Sequence, residues 1–203
     1  MDPEDDDRVL LGHGADGNVY IIDDDLCIKE FTNPDAHSIE ITYLNIVRGI
    51  PNFCQMTDYD RDYLTITMVR YQYSLTALMK KLPPQVRYRL VDSMIDQLFT
   101  ALKFLRAHFV AHNDLTLDNI YCNYDGTHLE CYIGDFGMAT INDGNHTNEG
   151  SDINDDIAIL GRSIIRFITY PKLATTKNLN TITQISPDTK QFLIDGCNSS
   201  ALY

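Results

Sequence analysis

The sequence predicts an α+β fold, with a small, mostly β first part and a mostly helical second part. Short β-rich runs separated by polar turns occupy the chain up to about residue 69, and a long helical apolar stripe follows Pro83-Pro84. Of the 203 residues, 44% are hydrophobic and 10% aromatic, which is enough to bury a core. A chain of this length forms one large domain or two small packed lobes.

The first part contains two pairs of strands. The β-rich pieces 19–22 and 26–28 flank an acidic turn at 23–25. A second pair is predicted around 53–59 and 63–69, with a polar triplet between the strands. The first part is therefore expected to form a small sheet.

One helix lies between the two strand pairs. Asn33-Pro34-Asp35 is typical of a helix start, because asparagine caps a helix and proline fits its first turn. Apolar residues then recur at helical spacing, namely Ile39, Tyr43, Leu44 and Val47. We expect a short amphipathic helix whose apolar face packs on the sheet.

The second part begins with the most regular pattern in the chain. After Pro83-Pro84, apolar side chains recur on one face of a helix, namely Val91, Met94, Ile95, Leu98, Leu102 and Leu105. This spacing predicts a long helix with one buried face.

A hairpin and two further helices follow. The β-like runs 120–124 and 129–133 are joined through Asp125-Gly126, a dipeptide that favours a tight hairpin turn. An apolar helix is predicted over 155–169, and Ser186-Pro187-Asp188 is typical of the start of another.

Charge and composition exclude several classes of protein. There are 29 acidic and 16 basic side chains, for a net charge of −13, so the positive charge that nucleic-acid binding needs is missing. The longest run without a charged residue is the ten residues 178–187, whereas a membrane-spanning helix needs about 20 apolar ones. The acidic start at 2–7 is the reverse of a secretory signal. We therefore expect an intracellular protein, in the cytoplasm or nucleus, with no nucleic-acid or membrane partner.

The five cysteines predict neither a disulfide frame nor a zinc site. Their number is odd and none forms a Cys-x-x-Cys pair. We expect reduced thiols in the core at Cys27, Cys54, Cys122, Cys131 and Cys197.

A glycine-rich segment lies between two predicted strands. Gly12, Gly14 and Gly17 follow the pattern Gly-x-Gly-x-x-Gly, and glycines at this spacing let backbone amides approach phosphate oxygens. A dinucleotide-binding turn is disfavoured, because a helix should follow it directly and a strand follows here. Taken alone, the pattern fits an ordinary glycine-rich hairpin equally well.

A lysine and a glutamate follow this segment. Lys29 ends the predicted strand 26–29, and Glu40 lies 11 residues later on the predicted helix. A strand lysine is most often a solvated edge charge. Paired with Glu40, however, it could position the phosphates of a nucleotide.

The segment 112–119, His-Asn-Asp-Leu-Thr-Leu-Asp-Asn, carries the most specific pattern. Asp114 is followed by Asn119 five residues later and by Asp135, the first residue of Asp-Phe-Gly, 21 residues later. A proton-accepting aspartate, an asparagine and a second aspartate are the groups needed to hold metal-bound phosphates in line. Together with the glycines, the lysine and the glutamate in the same order, these motifs closely resemble the protein kinase superfamily over about 11–197.

The resemblance implies a two-lobed, protein-kinase-like fold formed by a single domain over 1–203. It implies a small, mostly β N-lobe at about 8–69, a hinge at about 70–73 and a reduced, mostly α C-lobe at about 74–203.

The resemblance also implies site residues and cofactors. The loop that covers ATP is similar to Leu11, Gly12, His13, Gly14, Ala15, Asp16, Gly17, Asn18 and Val19. Lys29 and Glu40 resemble the strand lysine and its helix partner, and Asp114 resembles the catalytic aspartate. Asn119 and Asp135 resemble the two metal ligands. The implied cofactors are ATP and Mg²⁺.

Two further stretches match the family. Asp156, in an Asp-x-x-x-Leu-Gly run, resembles the aspartate that braces the catalytic loop. Val69 resembles the gatekeeper residue and 70–73 the adenine-contacting linker.

The chain departs from the family pattern around the activation segment. Asn113 replaces the usual arginine, so the basic pocket for an activation-loop phosphate is lost. No Ala-Pro-Glu motif occurs between Asp135 and Asp156, and only one helix fits after Ser186, so the substrate-docking part looks shortened. Three hydroxyl residues are therefore poor candidates for switching by phosphorylation: Thr140, Thr147 and Ser151.

Other departures from the family pattern bear on which subfamily of kinases the chain resembles. Thr116 stands where serine/threonine kinases usually carry a lysine, which leaves the hydroxyl specificity open. The run 114–116 is similar to small atypical kinases of a tRNA-modification complex, but their basic tail has no counterpart in the uncharged residues 198–203. In its reduced size the chain resembles kinases of large DNA viruses.

The resemblance implies an ATP-dependent protein kinase that acts on a protein hydroxyl, of serine or threonine in the first instance. Two alternatives stay open: a pseudokinase or decoy that binds and regulates another kinase, and an ATPase or small-molecule phosphotransferase. The net charge of −13 predicts a weak preference for basic protein substrates.

Overall fold

A five-stranded antiparallel sheet forms the first part of the molecule. The computed structural model describes residues 8–141 and 153–198. The strands are β1 (Leu10–His13), β2 (Gly17–Ile21), β3 (Leu26–Phe31), β4 (Met56–Asp60) and β5 (Thr65–Val69). They lie in the spatial order β1-β2-β3-β5-β4, which confirms both predicted strand pairs. On β3, burial alternates, so that Cys27, Lys29 and Phe31 share the buried face.

Helix α1 (Pro34–Ile46) starts where the sequence predicts, because the Asn33 side chain accepts a hydrogen bond from the second helical residue. Its predicted apolar face is confirmed at Tyr43, Leu44 and Val47, which are buried, but Ile39 is 39% exposed. Glu40, one turn before Leu44, is buried on the same side of the helix and is 1% exposed.

The second part is mostly helical. The helices are α2 (Leu75–Lys81), α3 (Pro84–Ala107), α4 (Ile153–Thr169), α5 (Thr176–Asn180) and α6 (Pro187–Asn198). The predicted apolar face of α3 is confirmed, except that Ile95 is only half-buried. The predicted helices over 155–169 and from Ser186 are also confirmed, and the Ser186 hydroxyl caps α6 by accepting from the Thr189 amide.

Short strands complete the second part. Strand β6 (Tyr73–Ser74) pairs with β8 (Ile120–Tyr124), which forms the predicted hairpin with β9 (Leu129–Ile133). Strand β7 (Val110–Ala111) pairs with β10 (Thr140–Ile141). These strands hold the loops after β7 and β9 next to each other, where the candidate site lies.

The two parts share one hydrophobic core. The loop after α1 crosses to β9, where the Cys54 amide donates to the Ile133 carbonyl over 2.8 Å and the Ile133 amide donates to the Asn52 carbonyl over 2.9 Å. Phe53 and Phe136 are fully buried between the sheet and α3. A small sheet lobe joined to a helical lobe confirms the predicted α+β, kinase-like fold class.

The cysteines behave as the sequence predicts. All five are free thiols and four of them are buried. Burial raises the pKa of Cys54 and Cys131, and it raises the pKa of Cys122 to about 12, so these thiols stay protonated. Within the described ranges, no helix is long and apolar enough to span a membrane. The acidic start, Thr147 and Ser151 lie outside the described residues.

Candidate active site

A cleft of about 430 Å³ lies between the sheet and the helical part. Its volume is in the range of small-ligand sites. Most of the predicted site residues line it, namely Leu11, Gly12, His13, Gly14, Ala15, Asp16, Gly17, Val19, Lys29, Glu40, Asn119 and Asp135. Residues far apart in sequence are therefore brought together as the motif order predicts.

Two predicted residues do not line the cleft. Asn18 lies on β2 between Gly17 and Val19, which do line it, and successive strand side chains point to opposite faces. The Asn18 side chain is therefore placed away from the cleft, and its contact with a nucleotide stays a prediction. Asp114 is half-buried beside the cleft and reaches it through its contact with Asn119.

The three glycines of the loop between β1 and β2 have different structural roles. At Gly17, a Cβ atom would lie 1.8 Å from the Glu30 carbonyl oxygen on β3, so only glycine allows the two strands to approach. The Gly14 amide donates to the Gly17 carbonyl over 2.9 Å and closes the turn. Nothing lies within 4 Å of a Cβ placed on Gly12 or Gly14, which leaves open space beside both.

Replacing Gly17 by alanine should destabilise the fold, whereas replacing Gly12 by alanine should not. The methyl group at position 17 would meet the β3 backbone, which cannot move without losing its strand pairing. We expect a loss of about 1–3 kcal/mol in the free energy of unfolding. Denaturant titration of the two variants beside the wild type measures it. Wild-type stability of Gly17→Ala would contradict the close approach of β2 and β3.

Lys29 lines the cleft and contacts two carboxylates. Its Nζ atom lies 3.1 Å from Oδ1 of Asp135 and 3.5 Å from Oε2 of Glu40. Lys29 is only 8% exposed, so its interpretation as a solvated edge charge is wrong. The sheet, α1 and the loop after β9 each contribute one member of this charged group.

The carboxylates of this group favour the charged form of Lys29. Burial alone would lower the pKa of Lys29, but the carboxylates of Glu40 and Asp135 outweigh it and hold the pKa above its usual value. Burial raises the pKa of Glu40, and the Lys29 ammonium opposes that shift. Lys29 is therefore a firmly charged ammonium with two anionic partners.

The loop after β7 is braced by Asp156 of α4, as the sequence predicts. Oδ2 of Asp156 accepts the His112 amide over 2.6 Å, and Oδ1 accepts the Asn113 amide over 2.7 Å. Burial raises the pKa of Asp156 to about 6, although both amides favour the charged carboxylate. The brace places Asp114, the next residue in the loop, at the edge of the cleft.

The His112 ring joins this loop to the residue before Asp135. Its Nε2 atom lies 3.1 Å from the Gly134 carbonyl, which can only accept, and its Nδ1 accepts the Asp114 amide over 3.3 Å. This pattern requires a neutral ring with the proton on Nε2. Burial lowers the pKa of His112 and so favours the neutral ring.

Asn119 and Asp135 present oxygen atoms to the cleft, and Asp114 lies beside it in contact with Asn119. Nδ2 of Asn119 donates to Oδ2 of Asp114 over 2.7 Å and to its carbonyl over 3.0 Å, which leaves the amide oxygen of Asn119 for a ligand. Carboxylate and amide oxygens are ligands that Mg²⁺ accepts. In the described part of the chain, no three His, Cys, Asp or Glu residues cluster closely enough to hold a metal. Asn119 and Asp135 would thus hold Mg²⁺ together with phosphate oxygens and water, as is usual for this ion.

Phe136 fixes the position of Asp135. Its ring is fully buried and packs on Tyr43 of α1, on Phe53 and on His112, with centroid distances of 6.1, 6.3 and 4.9 Å. Asp135 itself has a positive φ of 62°, a conformation that aspartate adopts only with support from its surroundings. The buried ring provides that support and directs the carboxylate towards Lys29.

Two curated proteins are similar to this chain. Over 152 residues, 68% of the chain, it is 29% identical to the serine/threonine-protein kinase pkpA of Phycomyces blakesleeanus. Over 82 residues, 40% of the chain, it is 35% identical to the Wee1-like protein kinase of Arabidopsis thaliana. These two similarities, together with the small sheet lobe and the helical lobe, support a relationship to the protein kinase superfamily. No family model matches it, and it spans 24% and 16% of the lengths of these two relatives.

The segment predicted as the hinge follows β5, and the pairing of β5 with β3 shows which of its residues share a face with Lys29. Met68 pairs with Cys27, and Ile66 pairs with Lys29. Paired residues of neighbouring strands share a face, so Met68 lies on the same face as Lys29 and Val69 on the opposite one. Met68 and Val69 both line the cleft, and the assignment of Val69 as gatekeeper stays a prediction.

Several residues that line the cleft were not predicted from the sequence. Cys27 lies two residues before Lys29 on β3, and Tyr121 lies two residues after Asn119 on β8. Strand alternation from each predicted residue would have found both. Others could be found only from the tertiary structure, because no strand pattern connects them to a predicted residue: Cys54, Ser74 and Asp118. Tyr71, which also lines the cleft, lies in the predicted linker 70–73.

Asn113 takes the place of the usual kinase arginine and makes a neutral contact instead. Its Nδ2 donates to the Met138 carbonyl over 2.9 Å and to the Thr140 hydroxyl over 3.1 Å. Its φ is 67°, which asparagine tolerates better than most residues. The segment after Asp135 is thus held on β7 by hydrogen bonds that involve no phosphate.

Proposed function

We propose that the chain is an ATP-dependent protein kinase that transfers the γ-phosphate of ATP to a serine or threonine hydroxyl of a protein. The contact of the buried Lys29 with both Glu40 and Asp135, inside a cleft bordered by the glycine-rich loop, carries this proposal. A buried ammonium that faces two carboxylates has a clear use in holding phosphates and little use in a core.

Each polar group has a role in this reaction. Lys29, positioned by Glu40, would hold the α- and β-phosphates. Mg²⁺ held by Asn119 and Asp135 would neutralise charge on the phosphate oxygens during transfer. Holding the reactants in line contributes about 7–11 kcal/mol to lowering a barrier of this kind.

Asp114 would orient the substrate hydroxyl and take its proton. The hydroxyl oxygen forms a bond to the γ-phosphorus while the bond from that phosphorus to ADP breaks, and the proton passes to the Asp114 carboxylate. The hydrogen bond from Asn119 holds Oδ2 of Asp114, so Oδ1 is the atom available to the substrate.

The hydroxyl type and the substrate charge are parts of the same proposal. The relative that covers most of the chain is named as a serine/threonine kinase, which supports serine and threonine. Asp118 is exposed and lines the cleft, and the chain carries a net charge of −13. Both support a weak preference for basic peptides. Acidophilic specificity on a peptide array would contradict it.

The test is phosphate transfer by the wild type beside Asp114→Asn. We expect the variant to lose about 10²–10⁴-fold in the rate of labelling of a protein hydroxyl, because asparagine cannot take the proton. Its affinity for Mg²⁺-ATP and its thermal unfolding should not change. Release of free phosphate without protein labelling would instead indicate an ATPase. Nucleotide binding without any turnover would indicate a pseudokinase.

A further inference from the structure

The glycine-rich loop of this chain carries an acidic residue at a fixed position. Asp16 directly precedes Gly17, which pairs with Phe31, and the Asp16 carbonyl accepts the Thr32 amide over 3.1 Å. Asp16 therefore lies where the loop is anchored on β3, and the side chain is half-buried in the cleft.

The Asp16 carboxylate points across the cleft. The position of a Cβ atom on Gly137 lies 2.9 Å from Oδ2 of Asp16 and 3.7 Å from Oδ1 of Asp135. The Asp16 carboxylate, on the glycine-rich loop, and the Asp135 carboxylate, on the Asp-Phe-Gly segment, thus lie close to the same position beside Gly137. The charge of Asp16 also contributes to holding the pKa of Lys29 above its usual value.

Three carboxylates consequently surround one ammonium. Lys29 contacts Glu40 and Asp135 directly and is near Asp16. The first two carboxylates have roles in the reaction, whereas Asp16 has none in the proposed mechanism. A nucleotide phosphate that binds Lys29 beneath the glycine-rich loop would therefore lie in the same cleft as the negative charge of Asp16.

We propose that Asp16 makes this cleft selective for nucleotides whose phosphates are complexed with a divalent cation. The carboxylate repels phosphates that carry their full charge, and this repulsion is reduced once a cation neutralises part of that charge. Asp16 is therefore a specificity-determining residue that acts on the phosphates and not on the base. The inference rests on the proposed binding of ATP.

Nucleotide affinities with and without Mg²⁺ test this role. Calorimetric titrations would use the wild type and Asp16→Asn with adenosine, ADP and ATP, in Mg²⁺ and in a chelator. We expect Asp16→Asn to bind metal-free ATP roughly 10-fold more tightly than the wild type does. The gain should be smaller for ADP, smaller again for Mg²⁺-ATP, and absent for adenosine, which has no phosphate.

Two further variants separate charge from other effects. Asp16→Ser removes the same charge with a different shape, and it should reproduce the result. Asp62→Asn removes one charge from the exposed turn between β4 and β5, so it should leave all affinities unchanged. An equal gain in Asp62→Asn would show that net charge, and not position, is responsible, and would overturn the inference.

The outcomes distinguish this inference from the proposed function. If the wild type binds Mg²⁺-ATP and both Asp16 variants keep its preference for the metal complex, only the inference fails. If the variants bind Mg²⁺-ATP more weakly, Asp16 is a metal ligand and the inference also fails. If no variant binds any nucleotide under either condition, the inference and the proposed function both fail.

Discussion

Replacing Lys29 by methionine should abolish most phosphotransfer and destabilise the fold at the same time. Glu40 is 1% exposed and would lose its only cationic partner among the described residues. Removing one partner of a buried ion pair typically costs about 3–5 kcal/mol, because the remaining charge is left in a medium of low polarity. The phosphates would also lose their ammonium, for which we expect a rate loss of at least about 10²-fold.

A double variant separates these two effects. In Lys29→Met combined with Glu40→Gln, no buried carboxylate is left unpaired, so most of the lost stability should return. The activity should not return, because the ammonium is still missing. Lys103→Met, on the exposed face of α3, is the matched control and should keep wild-type stability. Denaturant unfolding and label transfer measure the two quantities. Equal stability of the single and double variants would contradict the buried pair.

Replacing Arg87 by methionine should be the most destabilising change away from the cleft. Arg87 lies on α3, is 1% exposed, and caps the end of α4. Its Nη1 donates to the Phe167 carbonyl over 2.5 Å and its Nη2 donates to the Tyr170 carbonyl. The guanidinium carbon lies 5.6 Å from the Tyr170 ring centroid. A positive charge at a helix C-terminus also stabilises the helix through its interaction with the helix dipole.

Without the guanidinium, two carbonyls at the end of α4 lose their buried donor. Each unsatisfied group costs about 1–3 kcal/mol, so Arg87→Met should lower the free energy of unfolding by about 2–5 kcal/mol. For a chain of this size the melting temperature should fall by roughly 2–4 °C per kcal/mol. Arg89→Met, on the exposed side of the same helix, is the control and should change little. If Arg87→Met and Arg89→Met unfold at the same temperature, the contact of Arg87 with the end of α4 does not contribute to stability.

Local patterns were sufficient for the larger elements of the fold. The stripe on α3 repeats over several turns, and the β8–β9 hairpin carries a turn dipeptide between two β-rich runs, so both were predicted closely. The short helix α5 has five residues and no periodic pattern, and it was missed. The buried face of α1 was predicted correctly at Tyr43, Leu44 and Val47 but not at Ile39, which is exposed.

The sequence by itself indicated the resemblance to protein kinases and the chemical groups of the candidate site, because polar residues at these spacings are unusual in a core. Only the tertiary structure decided which of them meet. Asp16 approaches Gly137, and Arg87 reaches the end of α4, through contacts between residues far apart in the chain. Such contacts depend on how the sheet, the loops and the helices pack against one another, and no local spacing encodes that packing.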